Sequence, residues 1–197
     1  HEDRFVRYAA KTILERNPPA TWLSAMNEVK TVDGKITLLT ALIRTDTTDT
    51  DQELVFDELA QLGFEDLEEA QQLAVLRLYA LAFLRSQTID TKEVEIAYDH
   101  LLPHYPSDSK LVNRELSRVL SYLASEKGEG KAVVERTFDL IESSDDPIEF
   151  VHYLTVLRAV PDGWTMPQRA AYKHWMEYAR NSLTGGDPDV EQFIVCC

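Results

Sequence analysis

Apolar residues recur along nearly the whole chain at the three- and four-residue spacing that places them on one face of an α-helix. In the first segment, Phe5, Ala9 and Ile13 lie beside Val6, Ala10 and Leu14 in such a stripe, which we expect to face the core. The opposite, solvent-facing side is formed by Arg7, Lys11 and Glu15. Alternation of apolar and polar residues over a strand-like length is not found, so the pattern predicts helices alone.

Residues that favour the start or the end of a helix separate the segments of this pattern. Hydroxyl or carboxylate side chains followed by Glu or Gln fit the capping box, in which side chains satisfy the first backbone N–H groups of a helix. The pairs are Thr50 with Glu53, Asp146 with Glu149, and Thr165 with Gln168. Asp33–Gly34 predicts a turn, and other glycines stand where helices should stop, at Gly63, Gly128, Gly130, Gly163 and Gly185–Gly186. These signals predict roughly ten helices of about 10 to 20 residues.

The spacing of the helices favours stacked hairpins over a compact bundle. Helix pairs recur about every 35 to 45 residues, the period of HEAT-like solenoids, in which each hairpin buries its faces against its neighbours. We therefore predict an all-α fold, a HEAT-like α–α superhelix of stacked antiparallel helical hairpins. Residues 1–186 should form a single helical-repeat domain, and residues 187–197 a C-terminal tail or truncated linker.

Charge and hydropathy argue against two classes of partner. The formal net charge of −14 opposes approach to a nucleic-acid backbone, and Lys and Arg are dispersed along the chain. The most apolar stretch, from Leu73 to Leu84, is too short for a membrane span and has Arg77 at its middle, so it indicates a buried helix. We expect no nucleic-acid partner and no membrane insertion.

Two groups of metal-ligand residue types lack the arrangement that a metal needs. His100 and His104 have the spacing of two ligands on one helix face, but Pro103 spoils that geometry and no third ligand is nearby. The acidic loop 46–51, DTTDTD, lacks the glycine and the bidentate glutamate of a calcium loop. We predict no metal-binding residue.

Other charged residues in apolar surroundings are expected to be structural. Asp145 and Asp146 look like a carboxylate pair for acid–base chemistry, yet the sequence that follows marks Asp146 as a helix cap. Arg77, Arg114 and Arg158 each interrupt an apolar helix. A guanidinium in such a place must pair with a carboxylate or with helix-end carbonyls. We predict no catalytic residue and no cofactor, since no nucleophile setting or phosphate-binding loop is present.

Residues 163–186 concentrate aromatic and basic side chains. Thr165 caps a helix with one apolar stripe, which comprises Tyr172, Trp175, Met176 and Ala179. Aromatic residues at this spacing are usually core, so we expect the stripe to pack backwards onto the preceding helix. A candidate docking face for a neighbouring domain comprises Trp164, Arg169, Lys173 and Arg180.

Several stretches resemble a known family. EDRFVRYAAKTILE is similar to a HEAT-repeat helix, and LVNRELSRVLSYLAS, VHYLTVLRAVPDGWT and QRAAYKHWMEYAR follow it in order. This series resembles the helical segment of large multidomain planctomycete-type proteins, which join a sugar-dehydrogenase-like propeller, helical repeats and a c-type cytochrome domain. The resemblance implies a connector in a periplasmic or otherwise extracytoplasmic redox protein, with the chemistry in the flanking domains. No C-x-x-C-H is present, so covalent haem is not carried over.

The function predicted from these observations is that of a non-catalytic helical-repeat scaffold, which spaces or docks neighbouring domains of the same chain or another protein. The alternative is a self-contained all-α ligand-binding bundle or enzyme. Such a protein would need a closed polar pocket, which the sequence does not indicate. A third interpretation takes the terminal Cys196–Cys197 pair as a lipid acceptor.

Overall fold

Helices make up most of the computed structural model, which describes residues 3–45, 49–86 and 90–183. The α-helices in these ranges are α1 (Arg4–Glu15), α2 (Val32–Arg44), α3 (Asp49–Ala60), α4 (Glu69–Arg85), α5 (Thr91–Leu101), α6 (Lys110–Lys127), α7 (Lys131–Ser143), α8 (Pro147–Leu157) and α9 (Met166–Tyr178). Short 3₁₀ turns lie at Pro19–Thr21, Leu23–Glu28, Phe64–Asp66 and Leu102–His104, and a π-helical turn follows at Ala179–Leu183. The described ranges contain no strand, so the all-α prediction is confirmed.

Helix starts follow the capping signals of the sequence in part. Thr165 and Gln168 form the predicted capping box at the start of α9. Asp146 caps α8 by accepting from the Ile148 amide at 2.9 Å, as predicted, but Glu149 pairs with Arg114 instead of completing the predicted capping box. The predicted turn at Asp33–Gly34 is wrong, because both residues lie in the first turn of α2 behind the cap residue Thr31. The Thr50 side chain lies outside the described part of the chain.

The described helices fall into two compact units, the first ending at His104 and the second beginning at Tyr105. In the first unit α1 packs on α2, α2 on α3 and α3 on α4, while α2 also contacts α4 and α3 contacts α5. In the second unit α6, α7, α8 and α9 pack in order, and α6 also contacts α8. Contacts to the next helix and to the one after it are typical of stacked hairpins. A single domain over residues 1–186 stays a prediction.

Each unit has its own apolar core. In the first, Leu39, Phe56 and Leu76 are among the fully buried side chains, and the Phe56 ring lies 4.6 Å from that of Phe83, centroid to centroid. In the second, the fully buried residues include Leu116 and Leu120 of α6 and Leu157 of α8.

A close contact between two loops holds α6 and α7 against the α8–α9 connection. The Gly130 amide donates to Asp162 Oδ1 at 2.7 Å. Gly163 has φ of +76°, and a Cβ there would overlap the backbone of Gly130 and Lys131. Glycine is therefore required at this position by both conformation and space.

Candidate functional site

The apolar stripe of α9 packs backwards onto α8 and α7, as expected. The Tyr172 hydroxyl donates to the Leu154 carbonyl at 2.9 Å. The Trp175 ring lies 4.8 Å from that of Phe138 and 6.3 Å from that of Phe150, centroid to centroid. Of the stripe residues, Ala179 is buried, and Tyr172, Trp175 and Met176 are half-buried.

The candidate docking face on α9 is divided by the structure. Trp164 is half-buried: its indole N–H donates to the Val160 carbonyl at 2.8 Å, and its ring packs edge-on against Phe138 and Tyr172. The Arg169 guanidinium carbon lies 5.8 Å from the centre of the Trp164 ring. The basic members of the set are exposed, and they are Arg169, Lys173 and Arg180. Trp164 thus stabilises the helix end, and only the basic residues face solvent.

Two clefts flank the loop between α7 and α8. The first, here called the aromatic cleft, has a volume of about 360 Å³ and lies between the last turns of α7 and α9. Its lining includes Glu142, Asp145, Phe150, Trp175 and Tyr178. The second, here called the polar cleft, has a volume of about 480 Å³ and lies on the α6 side of the same loop. Its lining includes Lys110, Asn113, Asp145, Glu149 and Tyr153.

An ion pair with a buried carboxylate lies at the polar cleft. Arg114 Nε and Nη2 both approach Glu149 Oε1 at 2.5 Å, and the Glu149 side chain is 3% exposed. Burial raises the pKa of Tyr153, and its hydrogen bond to Glu149 raises it further. The pairing predicted for Arg114 is therefore present. Its partner is Glu149, which the sequence pattern assigns to a capping box with Asp146.

The same prediction does not hold for the two other arginines in apolar segments. Arg77 is exposed on α4, although the residues on both sides of it are buried or half-buried. Arg158 is exposed at the C-terminal end of α8. An α-helix turns by about 100° per residue, so a single charge within an apolar run can point to solvent.

Ser117 and His152 lie together in the second unit but do not form a nucleophile and its base. Ser117 Oγ and His152 Nε2 are 3.1 Å apart, and both also contact the Arg114 carbonyl oxygen, at 2.8 and 3.2 Å. A nitrogen that donates to a carbonyl cannot accept the serine proton. Ser117 is moreover fully buried. Desolvation lowers the pKa of His152, as expected for a neutral structural imidazole.

His100 and His104 occupy different environments. Tyr79 Oη lies 2.8 Å from His100 Nδ1, and His100 Nε2 lies 2.9 Å from the Leu62 carbonyl oxygen. The carbonyl oxygen can only accept a hydrogen bond, so His100 Nε2–H donates to it and Nδ1 accepts from the Tyr79 hydroxyl. His104 Nε2 instead lies 3.5 Å from Glu65. Both nitrogens of His100 are therefore used within the protein.

No group of three or more His, Cys, Asp or Glu side chains in the described ranges is placed to share a metal ion. Nor is any helix of those ranges sufficiently long and apolar to span a membrane. Residues 46–48 of the acidic loop lie outside the described residues, as do the predicted tail at 187–197 and Cys196–Cys197.

The orientation of α1 departs from the predicted one, because only Leu14 of the six stripe residues is half-buried. Phe5, Val6, Ala9, Ala10 and Ile13, here called the α1 apolar face, are all exposed, with Phe5 at 70% and Ile13 at 63%. Arg7 is exposed as predicted, whereas Lys11 and Glu15, predicted to face solvent, are half-buried, and Glu15 pairs with Arg44 of α2 at 2.8 Å. Most of the apolar stripe of this helix thus faces solvent.

The sequence matches no family model, and comparison with curated proteins and with solved structures found no relative.

Proposed function

We propose that this chain is a non-catalytic helical scaffold that docks a neighbouring domain, of the same chain or another protein, through the α1 apolar face. The observation that carries the proposal is the exposure of that face, since an amphipathic helix is normally stabilised by burying its apolar stripe. Five apolar side chains along one helix are more than the scattered exposed residues of an ordinary surface.

The surroundings of the face indicate the chemistry of its partner. Arg7 and Arg16 are exposed beside it, in a chain whose net charge is −14. A partner with an apolar centre and carboxylates at its rim would match both features. The exposed basic residues of α9 would give the second unit a further docking surface of the same charge preference.

We also propose that the scaffold belongs to an extracytoplasmic redox protein, between a propeller and a cytochrome domain; the support is the resemblance of the sequence to connector segments of that kind. The full-length reading frame tests this context, because flanking segments of those kinds must then be present.

The docking proposal is tested with a synthetic helical peptide that carries leucines on one face and glutamates beside them. Fluorescence anisotropy measures its affinity for the whole chain and for two variants. Ile13→Ser removes an apolar group from the face and should weaken binding by about tenfold or more. Leu84→Ser is the matched control, because Leu84 is 82% exposed on α4, outside the face.

Equal weakening by both substitutions would show binding that is not specific to α1. Binding of anionic lipid vesicles without any binding of the peptide would make the face a membrane surface. Either outcome overturns the proposal.

A further inference from the structure

The aromatic cleft has walls suited to a cation. The Phe150 ring lies 6.3 Å from Trp175 and 6.0 Å from Tyr178, at interplanar angles of 69° and 86°. Trp175 and Phe150 are half-buried and Tyr178 is 50% exposed, so the rings reach the cleft surface. The faces of aromatic rings attract ammonium and guanidinium groups, tryptophan most strongly.

Negative charge collects at the same place. Glu142 and Asp145 line the cleft and are exposed, and no cation of the described residues pairs with them. Glu142 stands in the last turn of α7, which contains no basic residue. Free carbonyls at a helix C-terminus carry partial negative charge, which would ordinarily favour a lysine or arginine there. Neither carboxylate is therefore paired with a basic side chain of the described ranges, although Lys110 lines the neighbouring polar cleft together with Asp145.

The shape of the region favours a peptide over a single small cation. The aromatic and polar clefts share Ser144, Asp145 and Asp146, so they form two depressions on either side of one loop. A chain that crosses the loop would place one side chain in each. Arginine fits the aromatic side best, since its planar guanidinium stacks on aromatic rings and pairs with carboxylates at once.

We infer that the aromatic cleft binds an arginine side chain from an extended basic segment of a partner protein. This site lies in the second unit and does not depend on docking through α1, so either surface can fail without the other.

The probe is the peptide acetyl-Gly-Gly-Arg-Gly-Gly-amide, and its matched control carries citrulline, which keeps the shape of arginine without the charge. Titration into the ¹⁵N-labelled whole chain follows the indole N–H resonance of Trp175, assigned with a Trp175→Phe variant. The arginine peptide should shift this resonance saturably, and citrulline should raise the Kd by about tenfold or more.

Two variants locate the site. Each removes one negative charge from the second unit, but only one of them lies in the cleft lining. Asp145→Asn changes a cleft residue and should raise the Kd by about fivefold. Glu177→Gln changes an exposed residue of α9 outside the cleft lining and should leave the Kd unchanged.

Equal effects of the two variants would mean that binding follows net charge alone, and equal binding of the citrulline peptide would mean that no cation is recognised. Saturation of the Trp175 shift at a lower concentration of tetramethylammonium than of the arginine peptide would make the ligand a small quaternary cation. Each of these results overturns the assignment.

Discussion

Arg114 on α6 and Glu149 on α8 form an ion pair in which the carboxylate is buried and the guanidinium is not, at 3% and 34% side-chain exposure. The two residues are 35 positions apart in the sequence. The pair joins two helices of the second unit, and its asymmetric burial determines what each substitution should cost.

Arg114→Leu leaves a buried carboxylate without its partner and should lower the free energy of unfolding by about 3 to 5 kcal/mol. Glu149→Gln should cost less, because water can reach the remaining guanidinium. Urea unfolding of both variants checks the order. The double variant Arg114→Met, Glu149→Leu should recover most of the loss, and a double variant as unstable as Arg114→Leu would contradict this account of the pair.

Gly163→Ala should lower the free energy of unfolding by about 3 kcal/mol or more, because the residue has positive φ and its Cβ would overlap the Lys131 backbone. Gly63→Ala is the control: its φ is −64°, and the nearest obstacle is the flexible Asp66 carboxylate at 3.1 Å. That change should stay within about 1 kcal/mol. Thermal unfolding of the two variants compares their melting temperatures. Equal melting temperatures would contradict the steric requirement for glycine at position 163.

Leu76→Ala should lower the free energy of unfolding by about 2 to 5 kcal/mol, because Leu76 is 0% exposed in the core of the first unit. Leu81→Ala on the same helix should cost only about 1 kcal/mol, since Leu81 is half-buried. Denaturant titration decides between them, and a larger loss at Leu81 would mean that α4 presents a different face to the core.

The α4 example shows where sequence reasoning stops. The run from Leu73 to Leu84 predicts a helix correctly, but a nearly continuous apolar run does not tell which side is deepest, so Leu81 and Leu76 look alike. Burial is set by the neighbours α2 and α3, whose positions depend on packing between distant parts of the chain.

The residues of the candidate site also differ in whether the sequence alone can identify their roles. Caps such as Asp146 and Thr165 are local devices, so their types and spacing suffice to find them. The partner of Arg114 and the meeting of Glu142 with Trp175 in one cleft arise only when α6, α7, α8 and α9 pack together. The outward face of α1 contradicts its pattern, because periodicity identifies an apolar stripe without showing what covers it.

We expect His100 to make the free energy of unfolding depend on pH. Desolvation lowers its pKa in the folded chain, so the unfolded chain takes up a proton first as the pH falls. Stability present above the ordinary pKa of 6.5 is then lost as the pH falls through the folded value. His100→Gln keeps an acceptor for Tyr79 and a donor for the Leu62 carbonyl but does not titrate. Unfolding free energy measured from pH about 7 to about 5 should fall less steeply in this variant than in the parent; identical slopes would exclude His100 as the cause.

The proposed function depends on one structural fact, that the α1 apolar face is open to solvent in this chain. The free energy of unfolding of Ile13→Ser in urea tests it most directly, without any partner. Because Ile13 is 63% exposed, we expect the variant to unfold within about 0.5 kcal/mol of the parent. A loss of about 2 kcal/mol or more would show that the side chain is buried and that α1 offers no docking surface.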